Sequence, residues 1–187
     1  MIYRPIAKDE EIKFSKKKFI VSKTDLKGNI TFVNKNFCDI SGYSEDELIG
    51  IPHNILRHPD MPKAVFHLVW KRLLSGRAVS GVIKNLAKDG RYYWVIADLK
   101  PDFDKNGNIV SLTAFRRATP DYVIETIEEL YETMLKIEKI HGMKHSIDYL
   151  EGFLEEHHTT YDTFISQLIK PKGVIAVLLD AFKKMIG

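Results

Sequence analysis

The sequence predicts an α+β protein: a five-stranded antiparallel sheet with helices over one face, followed by an all-helical segment. Three observations carry this reading. Two short β-rich runs flank the turn Asp25-Leu26-Lys27-Gly28-Asn29, and three longer ones follow, joined by Asp-Gly and Asn-Gly turns. Between the two sets lie short capped helices and one longer amphipathic helix. From Pro120 onward the apolar spacing changes to alternating threes and fours. A chain of 187 residues, 44% apolar and 28% charged, is large enough for one cored domain with an appendage.

Residues 1–18 read as a polar, lysine-rich arm that packs only partly, through Tyr3, Ile6, Ile12 and Phe14. Residues 19–24 and 30–34 form a hairpin. Residues 36–41 make one or two helical turns ending at Gly42. Ser44 followed by Glu47 is a capping-box pattern, and the helix it opens stops at Gly50. The run from Pro52 to Pro62 sets two histidines, an arginine and an aspartate among three prolines. Each proline biases the preceding residue away from helical dihedrals. The run therefore reads as a short helical turn, a break at His58-Pro59, and a new helix near Pro62 that Asp60 is placed to cap. Residues 63–75 then carry Val65, Phe66, Val69, Trp70, Leu73 and Leu74 on one helical face and end at Gly76. Residues 79–87, 91–102 and 109–117 are the long strands.

Several function classes are excluded or disfavoured. One cysteine, Cys38, rules out an internal disulfide and a cysteine zinc cage, and it fits a reducing cytoplasm. The N-terminus has no apolar core and is not a secretory signal. The longest apolar run, 174–179, is far below membrane-spanning length. The net charge of +3 divides unevenly: 21 Lys+Arg face 13 Asp+Glu over 1–119, against 7 and 12 over 120–187. The lysines of the basic part are scattered over turns, and no nucleic-acid motif is present. A phosphate-bearing ligand or an acidic protein partner suits that surface better than nucleic acid.

The strand-and-helix order joins with specific motifs. Phe32-Val33-Asn34-Lys35-Asn36-Phe37, Ser41-Gly42-Tyr43-Ser44-Glu45-Asp46-Glu47-Leu48-Ile49-Gly50 and Lys88-Asp89-Gly90-Arg91-Tyr92-Tyr93-Trp94-Val95 together resemble a PAS domain over residues 19–117. Pro52-His53-Asn54, His58-Pro59-Asp60-Met61-Pro62-Lys63-Ala64, Trp70, Ser80-Gly81 and Lys84-Asn85 narrow the resemblance to the PAS domain of bacterial aerotaxis receptors. That resemblance implies non-covalent FAD binding and a report of redox state to the chemotaxis machinery. A one-chain receptor of this kind continues into a membrane anchor, a HAMP relay and a long coiled coil. This chain ends soon after the domain and so resembles the two-protein arrangement. The implied partner is a membrane-bound chemotaxis transducer, through its HAMP or coiled-coil region, and the implied location is cytoplasmic, beside a membrane receptor complex. The domains expected are an arm over 1–18, a PAS sensor over 19–119 and a helical signalling or oligomerisation segment over 120–187.

The candidate cofactor-binding residues are Asn34, His53, Arg57, His58, Asp60, Trp70, Asn85, Tyr93 and Trp94. Arg57 offers a planar donor fork suited to a phosphate or a flavin carbonyl. His53 and His58 can donate to phosphate or stack on a ring, and Asp60 fixes the loop; alternatively the triplet Arg57, His58 and Asp60 is a salt-bridged connection. Asparagine is depleted in strands, and a buried amide needs partners for both its donor and its acceptor. The alternating C=O and N–H groups of a flavin edge would suit Asn34 and Asn85; turn-adjacent bonding to backbone is the other reading, above all for Asn34. Strand alternation puts Tyr93 and Trp94 on opposite faces, so both cannot line one pocket. Trp70 fits either the core or the pocket wall. In photosensory relatives of this fold the flavin-bonding cysteine falls in the segment corresponding to 54–58, which has none here, so photochemistry is excluded. Haem is the alternative cofactor, as in a PAS gas sensor, with His53, His58 and His67 as axial-ligand candidates. A cofactor-free dimerisation module is the competing class. No residues suggest catalysis or a metal site.

In the tail, Val123, Ile127, Leu130, Met134 and Ile137 form a heptad seam. After Gly142 it resumes with Ile147, Leu150, Leu154, His157, Tyr161, Phe164 and Leu168. It reads either as a small bundle folding back on the chain or as a surface for homo-oligomerisation or for a partner's coiled coil. A last amphipathic helix is expected over 174–186, with Lys172, Lys183 and Lys184 on its polar face.

Overall fold

Alternation along the strands decides which side of the sheet becomes core. In β1 (Ile20–Thr24) the residues Ile20, Ser22 and Thr24 are buried while Lys23 faces solvent. The computed structural model describes residues 5–170. The expected final helix and Tyr3 lie outside the described residues.

The other strands are β2 (Ile30–Val33), β3 (Val79–Leu86), β4 (Tyr92–Phe103) and β5 (Ile109–Ala118), in the order β2-β1-β5-β4-β3, all pairings antiparallel. Three helices, α1 (Lys35–Ser41), α2 (Glu45–Leu48) and α3 (Lys63–Leu74), pack over one face, and a 3₁₀ turn, His53–Leu56, joins the last two. Each boundary has a local cause. The side chain of Asn34 caps α1, the reciprocal Ser44–Glu47 box opens α2, and Gly42 closes α1 at φ +75°. In the first hairpin, Asp25 accepts the N–H groups of Lys27 and Asn29. His53 N–H then bonds to Gly28 O, fixing the 3₁₀ turn against that hairpin. Gly28 is required twice over: φ is +87°, and a Cβ would stand 3.0 Å from the Trp70 ring.

The arm adds itself to the sheet: Ile12 N–H bonds to Tyr92 O, Tyr92 N–H to Glu10 O, and Phe14 lies edge-on against Tyr93. The tail forms α4 (Asp121–His141), α5 (Met143–Glu156) and α6 (Tyr161–Leu168). Most of its apolar seam is covered inside the protomer: Val123, Ile127, Leu130, Met134, Leu150, Leu154, Tyr161, Phe164 and Leu168 are buried, while Ile137, Ile147 and His157 are half-buried. α5 packs on α3 and α4, and α6 on β3. The free edge of β3 is closed in turn by Tyr131, whose hydroxyl donates to Val82 O at 2.8 Å, by the Met61 sulfur facing Lys84 N–H, and by a backbone bridge from Arg57 to Asn85.

Candidate cofactor pocket

β5 carries Leu112, Ala114 and Arg116 on one face by strand alternation. β1 aligns Thr24, Ser22 and Ile20 opposite them. Together with Leu99 of β4, Ile83 and Asn85 of β3, and Val69, Trp70 and Leu73 of α3, they enclose a cavity of about 480 Å³. That lies within the range of roughly 300–1,000 Å³ usual for small-molecule sites. The 3₁₀ turn supplies His53, and Met143 at the start of α5 reaches the mouth.

The charged lining is all of one sign. Lys27, Arg57, Lys63 and Arg116 border the cavity, and among the described residues no Asp or Glu does. Lys27 and Lys63 are exposed at the rim, Arg57 is half-buried, and Arg116 is 5% exposed. Arg116 donates to Ser22 Oγ at 2.9 Å and lies 3.0 Å from His53 Nε2. A guanidinium only donates, so Nε2 accepts and the His53 ring proton sits on Nδ1. Burial and the Arg116 charge lower the His53 pKa to about 3, which keeps the ring neutral. Burial also lowers Arg116, to about 10, which leaves it charged.

Asn85 is 5% exposed, and its side-chain amide borders the cavity with no hydrogen-bond partner among the described residues. Its amide atoms keep some accessible surface, and that surface opens on the cavity. Arg57 donates to Met61 O at 3.3 Å and stands 4.4 Å over the Phe66 ring, which holds it at the wall. Of the nine candidates, the structure brings His53, Arg57, Trp70 and Asn85 to this cavity.

The other five do not border it. Asn34 spends its amide on backbone: Oδ1 accepts from Val21 and Phe37, and Nδ2 donates to Phe19 O. The loop 57–61 straddles the β3 edge, which sends Arg57 inward and its neighbours to the opposite side. There His58 is 4% exposed and edge-on to Tyr92, its Nδ1 accepting from Asp60 N–H. Its Nε2 has no partner among the described residues. Burial first and the Lys84 charge second lower its pKa to about 4. Asp60 binds Lys84 at 3.0 Å. It does not cap α3: Pro62 holds the cap position without a side-chain bond, and Glu138 of α4 accepts from Lys63 N–H at 2.9 Å and Ala64 N–H at 2.7 Å instead. Tyr93 points to the cavity side but is buried beneath its lining, next to Phe14. Trp94 faces the other way and stacks on Tyr131 of α4.

Sequence reasoning missed Arg116, Ser22, Lys27 and Lys63. The signal for Arg116 was present, because it continues the Leu112, Ala114 face of its strand; an arginine on an apolar face needs a reason. Lys27 and Lys63 carry no such mark. Among the described residues, no group of three or more His, Cys, Asp or Glu is placed to hold a metal ion, and no helix is long and apolar enough to cross a membrane.

Residues 30–116 match the family model described as PAS fold. The chain carries a PAS domain. A light-oxygen-voltage domain studied with a flavin analogue superposes on this one with a TM-score of 0.52 at 23% identity, covering 59% of this chain and 84% of that one, a likeness of fold. By sequence the PAS domain is similar to that of an aerotaxis receptor. The aerotaxis receptor of Escherichia coli is 42% identical over 115 residues, 62% of this chain and 22% of the receptor. Biofilm dispersion protein BdlA of Pseudomonas aeruginosa is 33% identical over 92 residues, 49% of this chain and 22% of that protein. The chain thus spans about a fifth of the length of these relatives.

Proposed function

We propose that the chain is a non-enzymatic redox sensor that binds FAD in the PAS cavity and passes the cofactor's state through its tail helices to a chemotaxis transducer. The observation that carries this is Asn85: a 5%-exposed strand residue that borders a cavity ringed by cations, with no carboxylate lining it among the described residues. An apolar ring with alternating C=O and N–H groups satisfies the amide, and phosphates satisfy Lys27, Lys63 and Arg57 nearer the rim. The residues fit a flavin nucleotide on both counts. The cofactor supplies the electron chemistry; the chain's own residues bind it, orient it and exclude water.

Turnover of a substrate is not supported. Ser22 Oγ lies 3.3 Å from His53 Nε2, a pairing with the look of a nucleophile and base. With its pKa near 3, His53 is too weak a base to activate a hydroxyl. Its Nε2 lone pair is also taken by Arg116, which leaves a poor ligand for haem iron.

The route out of the pocket runs around the β3 edge. Lys84, with 9% of its side chain exposed, bridges Asp60 of the loop and Glu128 of α4, at 3.0 and 3.6 Å. A change at Arg57 or Asn85 therefore reaches α4 within a few contacts. Because most of the tail's seam is buried in the protomer, homo-oligomerisation or docking on a transducer's HAMP or coiled-coil region through the whole seam requires the helices to release. The test is the absorption spectrum of the purified protein. Oxidised-flavin bands released as FAD on denaturation are expected; a Soret band, or no chromophore after reconstitution with FAD, would overturn the assignment.

A further inference from the structure

Arg116 is a buried cation without an anion. It is 5% exposed, and no carboxylate among the described residues pairs with it. Its two partners, Ser22 and His53, are neutral and use two of the five N–H groups that a guanidinium carries. Burying a charge against neutral groups alone is costly. The fold nevertheless holds it firmly, on a strand paired on both sides, opposite Ile20 of β1 and Ala97 of β4, and in line with Leu112 and Ala114 of the cavity wall. The rim cations Lys27 and Lys63 are the ones solvent and phosphates can reach. What reaches Arg116 is the end of the ligand enclosed by apolar side chains.

We propose that Arg116, oriented by Ser22 and by the neutral acceptor of His53, holds the electron-rich edge of the bound flavin ring and sets its reduction potential by favouring the reduced ring. This rests on the flavin reading above. On two-electron reduction by an external donor the ring takes two electrons and, from solvent, one proton, and so gains one negative charge. Arg116 neutralises that charge and transfers no proton. A fixed positive charge in a low-dielectric site binds the reduced form more tightly than the oxidised form, and that difference raises the potential.

The experiment compares wild type, Arg116→Gln and Arg116→Lys. FAD and riboflavin are titrated into each apoprotein, and midpoint potentials are measured by dye equilibration during stepwise reduction. For Arg116→Gln, riboflavin and FAD should both bind about tenfold more weakly, since the group meets the ring that they share. The reduced-to-oxidised affinity ratio should fall about tenfold, which is about 30 mV for a two-electron couple. Arg116→Lys should keep most of the potential. Apo Arg116→Gln should melt no lower than wild type, because a buried unpaired charge has been removed. An unchanged potential in Arg116→Gln, or loss of FAD binding with riboflavin unaffected, would overturn the proposal while leaving flavin binding standing. A large drop in apoprotein stability would make Arg116 structural and overturn it too. Failure of wild type to bind either flavin would instead overturn the reading on which it rests.

Discussion

Removing the carboxylate of Glu138 should loosen the pocket from a distance of 75 residues in sequence. α3 begins at Lys63 with no side-chain cap of its own, because Pro62 holds the cap position. Its first two N–H groups are satisfied by the two oxygens of Glu138, at 2.9 and 2.7 Å. Such donors have no partner inside the helix, and a cap is worth about 1 kcal/mol, with extremes of about 0.5–2. The negative charge at the positive end of the helix adds roughly 0.3–1 kcal/mol where it is partly exposed. Glu138→Ala should therefore cost about 1–2 kcal/mol in urea denaturation, equivalent to about 3–6 °C for a chain of this size. Glu138→Gln keeps an acceptor and loses the charge, so it should cost about half as much. Because α3 carries Phe66, His67, Val69, Trp70 and Leu73 into the cavity, hydrogen exchange should rise over 63–66 and flavin affinity should fall a few-fold. If Glu138→Ala changes stability by less than ~0.3 kcal/mol and leaves exchange at 63–66 untouched, the contact is incidental and the tail does not brace the pocket.

Four further outcomes follow from the same geometry. Asn85→Ala should weaken flavin binding roughly tenfold, about 1–1.5 kcal/mol, yet leave apoprotein stability nearly unchanged, since no protein group loses a partner; isothermal titration and melting curves measure both. Arg57→Ala should weaken FAD binding roughly ten- to a hundredfold, as expected for a charge-assisted bond worth about 1.5–3 kcal/mol, and normal occupancy after gel filtration would refute its role. Lys84→Met should preserve packing between Tyr92 and Trp94 while abolishing any exchange change that flavin reduction produces in α4; persistence of that change would move the route elsewhere. Acid should destabilise the apoprotein: His53 and His58 titrate near 3 and 4 when folded and near 6.5 when unfolded, so the unfolded chain binds more protons across that window. Stability should then be full above about pH 6.5 and fall by on the order of 2–4 kcal/mol by pH 5, and His58→Asn should flatten the profile.

The sheet and its helices were legible because each boundary has a local, short-range cause. Asp25 with Gly28 and Asn29, Ser44 with Glu47, Gly42 and Gly76 act within four residues, and the observed elements fall within a residue or two of those expected. The site was legible only where a residue type is out of place on its own element. Asn85 in a strand announced itself that way. Asn34 carried the same signal, but its neighbours Val21 and Phe37 absorb it as a cap. His58 and Asp60 could not be separated from Arg57 by sequence, because adjacency hides the fact that the loop crosses a sheet edge. The side of that edge depends on β3 being outermost, a property of strand order rather than of any residue in 57–61.

The same topology ties the pocket loop to α4. An edge strand exposes unpaired backbone groups, and here they are met by Arg57 and Met61 from the pocket loop and by Tyr131 from α4. The loop and α4 therefore share one strand, at Val82, Lys84 and Asn85. Asn85 faces the cavity, and Lys84, its neighbour by alternation, faces Asp60 and Glu128. A shift of β3 that improves the fit of Asn85 to one state of a ligand must move Lys84 with it, because the two are joined by a single peptide unit. On the proposed flavin reading, signal transfer needs no long pathway: Asn85 on one face of the edge strand meets the cavity, and Lys84 on the other pairs with Glu128 of α4.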